Sequence, residues 1–533
     1  MSDQGQGNTP PTNSQPDTGH GLDDIFGPLP VILPAKPVDP RPEFDVAHQD
    51  DLGIVHACHE AIERDGSVFR RGRGHIQLQG DHGRRSLYMM NSGNLRRVLV
   101  DNLRLVKSSK KGGPRPAKFS QDIISMITSD PDRGLPEITS VVHRPFFALD
   151  DYGKIKMITE PGLHGTVYLD LPPDLAGLNV PFSPTGPQID AAYNFIFKDV
   201  VGDFPFADEA SKMVFLSALM IPFCRQLIDG PVPIHMIDAA RPGVGKSLLG
   251  SVVSRITCGS SSTHTFPPSG DEQRKVFFSL ALAGAPVSFF DNITGRLASG
   301  YLANLVTTGA IESRMLGGNE VISAPWNQLI LMTANNPTVN ADIARRIIWC
   351  NLSEPPEGRH FANVPLLSWV DEVMPYIVES ILTLIQNWVV NNRRTGVGRL
   401  DSFESWVEVI GGILNSVQQG GLKALLVAQK ELSHEADDDS ATAADLFKEI
   451  LSVSNGGWVR AKHVLNHIDF QELPDGIHTA QQLGIYLSKY RGRALNGLVL
   501  ERNTQKEYRV IKAEHRDPGL MPKSSQKEEE TPF

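Results

Sequence analysis

The stretch DAARPGVGKSLLGSVV, Asp238 to Val253, carries the residue types needed to grip a polyphosphate. Backbone N–H groups at Gly243, Val244 and Gly245 can wrap a β-phosphate. Lys246 adds a point charge near the β- and γ-phosphates, the Ser247 hydroxyl can ligate Mg²⁺, and Leu248 continues the helix whose amino end attracts anions. Such loops commonly open on glycine. Here that place holds Ala240, a small change that is costly only if the residue needs a positive φ.

Three downstream clusters have the spacing of partners to this loop. In APVSFFDNITG an apolar run ends in Asp291, a carboxylate that can hold Mg²⁺ through water. The next residue, where an activating Glu often stands, is Asn292, and an amide cannot take a proton from water. Glu272, in SGDEQRK, is then a candidate base. In NQLILMTANNP a second apolar run ends in Asn335 and Asn336, where an amide can reach a γ-phosphate, although an Asn-Asn-Pro turn explains one of the two equally well. In NADIARRIIWCNL, Arg345 and Arg346 are candidates for an arginine finger that completes the site of a neighbouring subunit. A pair of surface arginines on a helix is the plainer alternative.

These residues need a scaffold of buried strands with helices between them. PIHMID reads as a strand and SLLGSVVSRI as a helix, which is the strand–loop–helix context that a phosphate loop requires. Strand and helix signals alternate from Ile234 to about Asn351, predicting a three-layer α/β core. The expected organisation is a polar, disordered tail over 1–45, an α+β module over 46–180, the nucleotide core over 190–364 and a helical region over 365–430. An acidic, mobile linker follows over 431–440, then a winged helix over 441–513 and a second disordered tail over 514–533.

The 533 residues carry a net charge of −10, so contacts to nucleic acid have to come from local patches. The last domain is one such patch, with ten Lys and Arg against seven Asp and Glu between Ala441 and Lys512. Lys489, Arg491 and Arg493 end its third helix, and Arg502, Lys506 and Arg509 lie on its wing. That layout suits a helix entering a DNA groove, although winged helices also bind proteins. The N-terminal module holds Arg70, Arg71, Arg73, Arg84, Arg85, Arg96 and Arg97, which fit a DNA-phosphate patch and a solvated surface equally well. Four scattered cysteines form no CxxC pair, which predicts neither a disulfide framework nor a zinc site and fits a cytoplasmic protein. His56, Cys58 and His59 sit together without a second ligand pair, so a helix face near a core is the expectation. No apolar run is long enough to predict a membrane span.

The series GVGKS, DEQRK, FFDN, ESRMLGG, MTANNP, DIARR and EPPEGRHF, with DSFESWVEVIGGILNSV downstream and RPFFALDDYGKIKMI upstream, resembles the AAA+ ATPases of prophages and integrated mobile elements. That group is similar to superfamily 3 and to primase-linked replicative helicases. The resemblance covers most of residues 138–513 and implies a ring, commonly hexameric, that uses MgATP to move along or open DNA during element replication. It also implies that a hairpin around Gly317-Gly318 points into the ring channel, with Arg314 and Asn319 touching DNA phosphates; a role for Arg314 at the subunit interface is the alternative. EPGLHGTVYL lacks the Gly-Tyr-Asp turn expected of the upstream segment, and no paired Asp-x-Asp of a primase precedes residue 138. Two other readings stand beside the helicase. One is an origin-binding or loading protein switched by ATP with little turnover, which Asn292 favours. The other is a motor for element mobilisation or anti-phage defence.

Overall fold

The structure, a computed structural model, describes residues 39–512 apart from 73, 111, 130–133, 240, 242, 295, 298, 315–320, 336, 355–361, 392–394, 401, 469–476, 491–493 and 496. The disordered tails expected from the sequence therefore lie almost wholly outside the described residues. The exception is Glu43–Asp45, a short strand that pairs in parallel with Arg104–Ser109, so ordered structure begins before residue 46.

The chain is a mixed α/β fold. Its central sheet is parallel and is built by β1 (Ile234–Ala239), β2 (Val287–Ile293), β5 (Leu329–Ala334) and β6 (Ile347–Leu352), in the spatial order β2-β5-β1-β6. These strands read as near-continuous apolar runs because both faces of a parallel sheet are covered. β5 is buried at every position. Between them run α1 (Lys246–Cys258) and α2 (Gly270–Ala283), and an antiparallel hairpin of β3 (Ala310–Arg314) and β4 (Val321–Pro325). Beyond β2 a single bridge, His264 to Phe290, extends the sheet edge.

Helices Leu366–Glu372, Met374–Val390 and Glu404–Val417 bury their apolar faces in the same core as this sheet. The first two form an apolar pair bent by 73°; among the described residues no single helix is long and apolar enough to cross a membrane.

Two sequence boundaries move. The core of the N-terminal module runs from Val55 to Leu135. Phe146, Phe147, Ile158, Val167, Leu169 and Leu171 pack instead into the central core, so the segment towards residue 180 belongs physically with the nucleotide domain. The acidic stretch 431–440, expected as a mobile linker, is helical throughout and lies inside one helix, Gly421–Ser454. It contains neither Gly nor Pro to break a helix.

The C-terminal segment has its own core. Its elements follow in the order helix (the end of Gly421–Ser454), strand Val459–Arg460, helix Ala461–Leu465, helix Ala480–Lys489, and then strands Ala494–Leu495, Leu498–Arg502 and Glu507–Lys512. Thr479 caps the last helix, its hydroxyl accepting from Gln482 N at 3.2 Å.

Candidate nucleotide site

The loop between β1 and α1 turns on two glycines. Gly243 has φ 81° and Gly245 φ 111°, in the region where a side chain is strained. Gly245 is the residue before α1, and α1 has no side-chain cap and no acidic residue in its first turn. Its amino-terminal N–H groups therefore face outward as donors without a competing carboxylate. Val244 is buried and pins the loop to the core, while the Ser247 side chain is exposed beside it. Ala240 lies outside the described residues, and Leu248 is half-buried on α1.

Lys246 is 7% exposed. Its ammonium donates to Asn335 Oδ1 at 2.5 Å and to the Arg241 carbonyl at 3.3 Å. Burial lowers its pKa, an effect opposed by the negative charges of Asp238 and Asp291. Its direct partners are thus neutral acceptors that an incoming phosphate can replace, with Asp238 and Asp291 near enough to favour its charged form. Asn335 stands at the tip of β5, so the two residues read separately from sequence meet at one point.

Asp291 and Asn292 are aimed by a β-bulge. Phe290 pairs with Met332 and Ile293 with Ala334, which leaves Asp291 and Asn292 together opposite Thr333. The Thr333 hydroxyl donates to Asp291 Oδ1 at 2.5 Å and accepts from the Asn292 N–H at 2.8 Å. Asn292 takes the left-handed conformation, with φ 57°. Asn is among the few non-glycine residues that visit that region readily, which gives a backbone reason for Asn rather than Glu at this place. Thr333 was missed in the sequence because its role depends on register between strands, with Asp291 and Thr333 42 residues apart; the one available signal was a polar residue within an apolar strand.

Other candidates have partners outside this cluster. Glu272 sits on the first turn of α2 and pairs with Lys275 at 2.8 Å. Among the described residues it makes no hydrogen bond to Lys246, Asp291 or Asn335. Arg345 pairs with Asp342 at 2.5 Å, while Arg346 donates to Thr307 Oγ1 at 2.9 Å and to the Asp342 carbonyl. Both guanidiniums therefore fold back on their own chain at the end of the short helix Ala341–Ala344. Arg241 beside the loop pairs with Glu354 at 2.8 Å, a contact that ties the loop to the chain after β6 and that the sequence did not suggest.

The donor set fits MgATP. Uncapped backbone N–H groups and one ammonium suit the phosphates, and the Ser247 hydroxyl and the Asp291 carboxylate are hard oxygen ligands suited to Mg²⁺.

Of the DNA candidates, Arg314 ends β3 opposite Val321, which confirms a hairpin at this place. Its tip, with Asn319, lies outside the described residues, as do Arg491 and Arg493. Lys489 is the last residue of its helix. Arg502 lies 5.6 Å from the centre of the Tyr508 ring, and Arg509 pairs with Glu501 and stacks on Trp458.

In the N-terminal module most arginines have partners within the chain. Arg70 pairs with Glu137, Arg71 is buried against α2, Arg85 donates to Tyr168, Arg96 donates to the Phe119 carbonyl and Arg97 pairs with Asp101. Arg71, being buried, is withdrawn from any surface patch, and Arg73 lies outside the described residues. His56 pairs with Glu60, while Cys58 and His59 are buried in helix Asp51–Asp65, and all four cysteines are free.

The arrangement is a strand–loop–helix at the carboxyl edge of a parallel sheet. No protein-family model and no curated protein sequence matches the chain. Among solved structures, the apo C-terminal region of NrS-1 aligns with 85% of this chain and 98% of its own, at 11% identity and a TM-score of 0.35. A structure described as the SCCmec type IV Cch active helicase aligns with 83% of this chain and 91% of its own, at 12% identity and a TM-score of 0.33.

Proposed function

We propose that the chain is an ATP-dependent DNA helicase or translocase of the AAA+ type, working as a ring, commonly a hexamer, in replication of a phage or integrated mobile element. The observation that carries this reading is the convergence of Lys246 and Asn335 at the mouth of the loop, beside an Asp291 held by Thr333. In this reading the loop N–H groups and Lys246 hold the phosphates, and Ser247 and Asp291 hold Mg²⁺. Bound Mg²⁺ and the protein cations supply charge neutralisation for phosphoryl transfer. Lys246 is handed from Asn335 to phosphate, which frees the amide to orient water at the γ-phosphate. Arg345 or Arg346 serves the site of the next subunit; their place next to the amino end of β1, whereas the loop follows its carboxyl end, supports action in trans. The β3–β4 hairpin contacts DNA through Arg314 and Asn319, and the C-terminal domain is a winged helix that contacts DNA through Lys489, Arg491 and Arg493. Arg502 is the weaker candidate there, since Tyr508 already holds it.

ATPase and strand-displacement assays with Lys246→Ala test this. Loss of both activities is the expected result, and unwinding by that variant refutes the reading.

Asn292 favours a second reading, an ATP-switched origin-binding or loading protein with little turnover. The bulge gives Asn292 no proton-accepting group beside Asp291, and Glu272 is engaged elsewhere. ATP binding that drives assembly on DNA without measurable hydrolysis selects it over the motor.

A further inference from the structure

We propose that Arg144 is a positioning residue for the nucleotide site: it anchors the carboxyl end of α1 from the segment that joins the N-terminal module to the central core, so that the phosphate loop at the amino end keeps its place against the sheet. This rests on the nucleotide reading above and deepens it.

Arg144 belongs to the connecting segment before β1, more than a hundred residues ahead of the helix end it reaches. It is 6% exposed. Nε donates to the Ile256 carbonyl at 2.7 Å, Nη2 to the Arg255 carbonyl at 3.3 Å and Nη1 to the His143 carbonyl at 2.9 Å. Two of these acceptors are among the last carbonyls of α1: the Arg255 carbonyl also accepts from the Gly259 N–H at 3.0 Å, and the Ile256 carbonyl is one that the helix end leaves over. A buried cation is costly unless compensated. Among the described residues no carboxylate forms an ion pair with Arg144, so the negative end of the α1 dipole is its direct compensation.

The device occurs twice. Arg71, 1% exposed, donates to the Leu282 carbonyl at 2.7 Å and to the Ala281 carbonyl at the end of α2. There the two parts of the chain nearly touch: a Cβ on Gly284 would lie 2.9 Å from the Thr139 carbonyl oxygen. Burial lowers the pKa of both arginines to about 10, which leaves them charged at neutral pH.

The same end of α1 is also held by Arg255, which pairs with Asp371 through two hydrogen bonds of 2.6 and 2.5 Å. In its first turns Gly250 lies flush on Phe289 of β2. The helix is therefore a rod fixed at one end and in contact with the Asp291 strand near the other. Loosening the fixed end shifts Lys246 relative to Asp291 and Asn335. A planar fork that reaches three carbonyls is specific to arginine, and a lysine keeps only the charge.

The test uses the full-length chain with Arg144→Ala, Arg144→Lys and, as a surface control from the N-terminal module, Arg97→Ala. A fluorescent ATP analogue with Mg²⁺ reports Kd, amide exchange reports on Lys246–Leu248, and melting identifies a temperature at which each variant is folded. In the folded proteins Arg144→Ala is expected to raise Kd about tenfold or more, with faster exchange at the loop, Arg144→Lys to fall between, and Arg97→Ala to match wild type. A purely structural role lowers the melting temperature and leaves Kd and loop exchange alone, which overturns the proposal. Should Arg144→Ala not fold, Arg144→Lys decides by the same criterion. If the wild-type chain itself does not bind the analogue, the nucleotide reading fails and takes this inference with it; wild-type binding with unaltered Arg144 variants removes this inference alone.

Discussion

Gly250→Ala separates packing from stability at the nucleotide site. The glycine lies on α1, four residues after Lys246, against a fully buried phenylalanine. An added Cβ would lie 2.3 Å from Phe289 Cζ, 2.7 Å from Cε2 and 3.0 Å from Cε1. Ordinary carbon contact needs about 3.5 Å, so helix and strand have to part by about 1 Å. Phe289 is 1% exposed on an inner position of β2 and has no open space to turn into. Overpacking of this kind costs about 1–3 kcal/mol, while alanine is favoured over glycine in a helix by about 1 kcal/mol. The net loss of stability is thus small, about 0–2 kcal/mol. The geometric consequence is larger, because a displacement of about 1 Å in reacting groups can cost about a hundredfold in rate. Steady-state ATPase assays and denaturant unfolding on the same preparations check this. The expected outcome is a folded variant with a small stability change and ATPase reduced at least about tenfold. Wild-type ATPase in Gly250→Ala would refute the claim that α1 positions the loop by its seat on β2.

Other consequences follow from the same contacts. Thr333→Val removes the donor to Asp291 and leaves the Asn292 N–H without its acceptor, a loss of about 1–3 kcal/mol if that group stays dry. Mg²⁺-dependent ATP turnover should fall well below wild type while Mg²⁺-free nucleotide affinity holds, as titration with and without EDTA would show. Asn335→Ala frees the Lys246 ammonium from its short hydrogen bond; affinity for ADP should change little and ATP hydrolysis should fall steeply, measured by paired binding and turnover assays. Stability should also depend on pH through two buried histidines. Burial holds His75 at about 4 and His235 at about 3, below the ordinary value of 6.5. Below pH 6.5 the unfolded chain takes up protons that the folded chain refuses. Stability present above 6.5 is therefore lost as pH falls, at about 1.4 kcal/mol per pH unit for each histidine, until the folded values are reached. Urea midpoints between pH 7 and 5 should show a shallower slope in His75→Gln, and an unchanged slope removes His75 from the account.

What could be read from the sequence was local. The strand–loop–helix around Lys246, the apolar strands ending at Asp291 and Asn335, the hairpin near Arg314 and the helix and strand order after Ala441 all follow from short-range pattern. What could not be read depended on partners far along the chain. Thr333 gained its role from a one-residue slip between β2 and β5. Arg71 and Arg144 look in sequence like the surface arginines around them, since nothing local marks a guanidinium that will be buried on a helix end. The run ELSHEADDDS suggested a linker by charge alone, but charge does not break a helix, and the helices on either side of it are one.

The central claim is that one protomer holds the triphosphate and the next completes the site. Mixing two inactive variants, Lys246→Ala and Arg346→Ala, tests it most directly, with Arg345→Ala in place of Arg346→Ala as the parallel arm. In a head-to-tail ring an interface is whole when the intact loop of one variant meets the intact arginine of the other, which in an equal mixture is about a quarter of all interfaces. The account expects ATPase to reappear on mixing in at least one arm, although each variant alone is inactive. Arginine variants that hydrolyse ATP at the wild-type rate, or mixtures that stay as inactive as their components in both arms, would contradict it.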